Sequence, residues 1–141
     1  MAVIEDDLLH LAKDLASAPD EVRRRTAISR AYYSAFLRAE MLERHIVDEP
    51  PSASKEGVHA YRSNKFTQLN RNNHSDIDAE VVFKIKSVGY LLKNLKAQRV
   101  VADYHLDRNI SAGDAEQSIT EAESIATKLK EIYSALQLPN H

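Results

Sequence analysis

Arg99 and His105 are the two residues of this sequence whose types and separation best suit chemistry. They lie in "LLKNLKAQRVVADYHLD", residues 91–107. Stepping back from Leu106 by threes and fours gives Ala102, Arg99, Leu95, Leu92, Val88, Ile85 and Val81, a helical seam that is apolar except for one permanent cation. A guanidinium at such a place needs a buried acid, or the seam opens into a site there. Arginine clamps phosphate oxygens with paired N–H donors, and histidine moves protons near neutral pH. Together they could hold a phosphate group and move a proton beside it. Six residues of regular helix turn through roughly 600°, so the two side chains sit about 120° apart around the axis. They cannot both reach one phosphate from the middle of a straight helix. Unwinding near Tyr104, or a second chain, resolves this. The competing reading pairs Arg99 with Asp103 one turn on and leaves His105 exposed at a fraying helix end.

Helical periodicity dominates the elements that must position this pair. Residues 3–17 carry a stripe of Ile4, Leu8, Leu11 and Leu15. Pro19, Asp20 and Glu21 open a second helix running to about Ile46, with Ile28, Tyr32, Ala35, Ala39, Leu42 and Ile46 on its seam. Tyr33, Phe36 and Leu37 fall outside that seam, so this helix is either central in the bundle or shared with a partner copy. "VDEPPSAS" breaks the chain. Residues 55–69 form a short helix with Val58, Tyr61, Phe66 and Leu69 inward, and "NRNNHSDID" is a polar loop. The fourth helix covers about 79–106. Ser111 with Asp114 makes a capping box for the fifth, whose seam is Ala115, Ile119, Ala122, Ala126, Leu129, Tyr133 and Leu136. No window alternates like a strand. The expectation is one all-α domain over 1–141, a bundle whose helices pack nearly antiparallel.

Composition agrees and excludes several function classes. The 141 residues are 43% hydrophobic and 28% charged, with 3 Gly and 4 Pro. There is no cysteine, which removes disulfides, thiolate metal sites and cysteine nucleophiles. The net charge of −2 gives no reason by itself to expect nucleic acid. Its distribution is uneven: residues 81–109 carry six Lys/Arg against two Asp, residues 110–141 two Lys against five acids. A basic helix face binds phosphate in some proteins and is merely solvated in others. Acidic residues stand where a signal peptide has its basic region, and no stretch reaches the length of a membrane span, so a cytoplasmic protein with no membrane partner is expected.

Three stretches, "RTAISRAYYSAFLRAEML" (25–42), "KEGVHAYRSNKF" (55–66) and "RVVADYHLDRNISAGDAEQSITEAESIATKLKEI" (99–132), together resemble the HEPN superfamily, in particular its small stand-alone branch with an "RAYY" helix and an "R-x-x-A-D-Y" helix end. The resemblance covers about residues 20–135. It implies an all-α fold, an up-and-down bundle of four to five helices, commonly a homodimer packed on its two long helices. It also implies a metal-independent endoribonuclease acting as a toxin or defence effector, with an antitoxin or nucleotidyltransferase as possible partner. The family signature of Arg, four to six residues, then His maps onto Arg99 and His105, whose copies meet across the dimer in one composite site. The chain departs from the family pattern in two places. Asp107 stands where a modifiable Tyr is common, and Val100 where a polar residue often follows the Arg.

Arg30, His59, Asp103 and Tyr104 are further candidates for touching substrate. His59 lies on the short helix where relatives often have a histidine. Arg30 has the alternative of pairing with an acid, His59 of a half-buried helix position, and Tyr32 and Tyr33 of ordinary core aromatics. "RRR" at 23–25 reads as a solvated, self-paired turn. "NHSD" at 73–76 lacks the spacing of a metal site, and no cofactor or metal is expected. The alternative function is a non-catalytic HEPN-like module that binds a partner protein or nucleotide in its groove.

Overall fold

In the computed structural model, which describes residues 4–46, 57–69 and 77–139, the periodic segments become five helices: α1 (Glu5–Ala16), α2 (Glu21–Ile46), α3 (Val58–Thr67), α4 (Ala79–Tyr104) and α5 (Ala112–Leu136). No strand occurs among the described residues. The break at 47–54 and most of the 70–78 loop, with the whole of "NHSD", lie outside them. No helix among them is long and apolar enough to cross a membrane.

The α2 seam is buried throughout, from Ile28 to Ile46. The helix packs against α1, α4 and α5 and touches α3, so most of its apolar surface is used within one chain, while Val22 and Leu37 stay exposed. The α4 seam from Val81 to Ala102 is buried too. Leu106 departs from the expectation. Helix α4 stops at Tyr104, and Leu106 is 76% exposed in the following turn. In α1 the buried positions are Leu9, Ala12 and Ala16, while Ile4 and Leu11 are exposed. Two alanines let α1 approach α2 closely, which rotates the larger leucines to the flanks. The capping box of α5 forms as read, Ser111 Oγ accepting from Asp114 N at 3.1 Å and Asp114 Oδ2 from Ser111 N at 2.9 Å. Its inward face also takes in Ser118, Ile125 and Ile132.

Two buried arginines tie elements together, the first of them at the end of α4. Arg25, in the run expected to be solvated, is instead buried. Its guanidinium donates to the carbonyls of Val101 (3.2 Å), Ala102 (2.8 Å), His105 (3.2 Å) and Arg108, and to Glu21 Oε1 at 3.0 Å. The last turn of α4 leaves carbonyls without intrahelical donors, and Arg25 supplies them. Glu21 also accepts from Ile110 N at 2.9 Å, and that bond, with Arg25, holds its carboxyl below the usual range. Arg62 of α3 is equally buried. It donates to Glu43 Oε2 at 2.7 Å and to the Phe36 carbonyl at 3.2 Å, with its guanidinium 4.0 Å from the Phe36 ring centre. The pair ties α3 to α2.

Candidate functional site

Where α2, α3 and the end of α4 meet, the side chains gather around Arg99. It is only 9% exposed. Its guanidinium carbon lies 5.3 Å from the Tyr32 ring centre, 5.6 Å from Tyr33 and 6.0 Å from Tyr104. Its one ion pair among the described residues is with Asp103, Nη1 to Oδ2 at 3.6 Å, too long for a hydrogen bond. Arg99 Nε is buried with no acceptor. Of the two roles open to Arg99, the single chain therefore contains the Asp103 pairing, but it leaves the guanidinium short of acceptors. Ser29 Oγ also reaches Asp103, at 3.4 Å.

His59 joins this cluster from α3. Its Nδ1 lies 2.6 Å from the Tyr32 hydroxyl, and its ring stacks on Phe36 at 4.2 Å between centres. Burial pushes its pKa down, and the charges of Arg99, Lys96 and Arg62 push the same way. Burial also pushes the Tyr32 hydroxyl up, so it keeps its proton. When that proton is donated to Nδ1, the ring proton of His59 sits on Nε2. Arg30 finds no acid among the described residues. It touches the Ser29 hydroxyl at 3.4 Å and lies 5.3 Å from the Tyr33 ring centre.

His105 is placed differently. It is the C-terminal cap of α4, its N–H donating to Val101 at 3.0 Å and its ψ of 74° leaving the helix. Its backbone is fixed by Arg25, while its side chain is exposed. No hydrogen bond, ion pair or ring contact joins it to Arg99 within one chain. The helix does unwind at Tyr104, where the spacing argument needs it to, yet the two side chains are not brought together. Tyr104 itself is 70% exposed. Of the six candidates, Arg99, Asp103, Tyr104, Arg30 and His59 thus share one neighbourhood, and His105 stands at its edge.

Among the described residues no three His, Asp or Glu side chains gather as metal ligands. Two open cavities lie elsewhere. One of about 350 Å³ is lined by Glu5, Arg38, Met41, Leu129 and Tyr133, the other of about 390 Å³ by Ile28, Gln98, Val101, Arg108 and Asp114. Sequence reasoning missed Arg25 and Arg62 because an arginine's partner is set by tertiary contacts; the only local signal was Glu21, one turn before Arg25. The chain matches no protein-family model, and no curated protein or solved structure is similar to it.

Proposed function

We propose that this chain is a HEPN-type, metal-independent endoribonuclease, working as a toxin or defence effector from a cytoplasmic homodimer. The observation that supports it best is Arg99: a buried guanidinium with an orphan Nε, one long ion pair and three tyrosine rings around it. Such a cation is under-satisfied, and a phosphate offers the acceptors it lacks. The exposed His105 is then a proton carrier presented outward to the neighbouring copy. Two copies pair along the outward stripe of α2, where Val22 and Leu37 are exposed beside half-buried Tyr33. Arg99 of one copy holds the phosphate while His105 of the other moves the proton. An antitoxin or nucleotidyltransferase partner would act by covering this edge.

A second reading has its own observation. The Arg99–Asp103 pair, with His105 in solvent, is what a non-catalytic module binding a partner protein or nucleotide requires. The two readings separate on one experiment, incubation of mixed tRNA and mRNA in EDTA with wild type, Arg99→Ala and His105→Ala. Helicity and oligomer mass are checked in each. Cleavage by wild type that both substitutions abolish is the expected result. No cleavage, or equal cleavage by all three, leaves the binding module.

A further inference from the structure

The outward face of α4 carries a pattern that the site does not use. Phe83, Tyr90, Ala97 and Tyr104 recur every seven residues and are all exposed, the three aromatics by 70%, 62% and 70%. Seven residues are nearly two turns, so the four form a ridge about 30 Å long opposite the buried seam. Lys86 and Lys93 alternate with them at the three-residue step, and Lys96 lies toward α3, where its charge reaches His59. None of these three lysines has an acidic partner among the described residues. Of the acids that pair with polar side chains of α4, Asp103 takes Arg99 and the others stand on the far flank. Glu131 takes Lys84 at 3.2 Å, and Glu121 accepts from Asn94 and Gln98. The ridge is thus aromatic and basic together, and it ends at Tyr104 beside Arg99.

We propose that single-stranded RNA lies along this ridge, with bases stacked on Phe83, Tyr90 and Tyr104 and phosphates on Lys86, Lys93 and Lys96. The proposal rests on RNA being the substrate, and it names the path by which the strand reaches Arg99. Charge selects the occupant. A second copy of α4 laid antiparallel across the ridge would set Lys93 against its own image, a like-charge contact that opposes an isologous interface. A partner helix would need an apolar groove, whereas this face is a convex ridge with Lys86 between Phe83 and Tyr90 and Lys93 between Tyr90 and Ala97. A polyanion with flat bases meets both features, since stacking is indifferent to sequence and lysines follow the backbone. Phe83, Tyr90 and Lys93 are exposed, so these side chains can be replaced without unfolding the chain.

The test is fluorescence anisotropy with a labelled 2′-O-methyl oligonucleotide of about 12 nucleotides. It has no free 2′-OH, so binding is read apart from cleavage. Tyr90→Ala is expected to weaken binding by about fivefold to a hundredfold. Lys93→Gln is expected to make the dependence of log affinity on log salt shallower by about 0.7. Helicity stays unchanged in both. Unchanged affinity in both variants, or no binding by wild type, overturns the path. So does polyglutamate competing as well as RNA, which would mark an acidic polypeptide as the partner. A loss of oligomer mass on Tyr90→Ala at constant RNA affinity also overturns it, by marking a self-association face. Cleavage of natural RNA that depends on Arg99 and His105, alongside any of those results, would leave the nuclease reading standing while the path falls.

Discussion

His59 carries a pH dependence that the single residue predicts. Burial and three nearby cations hold its folded-state pKa below the ordinary value of 6.5. As pH falls through 6.5 the unfolded chain takes up this proton before the folded chain does, so stability is lost on the acid side of neutrality. Denaturant titrations at pH 7.5 and pH 5.5 should show lower stability at pH 5.5, and His59→Gln should flatten the difference. The lowered carboxyls of Glu21 and Asp6 work in a separate window. Their stabilisation is complete above about 4.5 and is lost only as pH falls below it. Tyr32→Phe removes the 2.6 Å contact to Nδ1 and should cost about 1 kcal/mol, read as a shift of the unfolding midpoint. Asp103 is the other residue on which the cluster depends. Without it the Arg99 guanidinium is buried with no acid at all, so Asp103→Asn should destabilise the fold in either functional reading.

Two contacts between elements are equally exposed to test. Helix α3 crosses α4 at Gly89, where a Cβ would come within 2.8 Å of Phe66 Cβ and Thr67 Cγ2 and 2.9 Å of Thr67 N. Gly89→Ala would gain about 1 kcal/mol of helix propensity. The backbone of α3 must still move to admit it, and a net loss of about 1–3 kcal/mol is expected from chemical denaturation. Because α3 carries His59, the 6.5 transition should weaken in the same variant. Arg25→Met removes the donors that close the end of α4, and amide exchange should quicken at residues 101–110 while the α2 seam stays protected. At this scale the sequence was most legible. Long seams such as Ile28 to Ile46 repeat often enough to fix both helix and inward face, and Ser111 with Asp114 marks a helix start by local hydrogen bonds alone. Leu106 was misjudged because its spacing continues the seam, while the chain has already turned away at His105. The α1 stripe was misjudged because the larger side chains suggested the inward face, and close approach through Ala12 and Ala16 decided it. Arg62 was not legible, and of the acceptors of Arg25 only Glu21, one turn before it, was, since the others lie up to 83 residues away.

For the whole molecule, the proposed function requires two copies to complete each other's site. One chain gathers aromatic rings around the buried Arg99 and leaves His105 exposed at the end of α4. The candidate residues could be named from type and spacing. Their proposed convergence could not, because Arg99 and His105 do not meet within one chain and would need a second copy to do so. Pairing along the α2 stripe predicts a solution mass of two chains, reduced to one by Leu37→Lys, with helicity retained. The most direct measurement mixes two inactive proteins. Arg99→Ala and His105→Ala are each assayed for RNA cleavage in EDTA, then combined under conditions that let subunits exchange. A mixed dimer keeps one intact Arg99 and one intact His105 on opposite chains, so the account predicts that cleavage returns in part. If exchange is complete and cleavage does not return although wild type cleaves, the site is not shared between copies and the central claim is wrong.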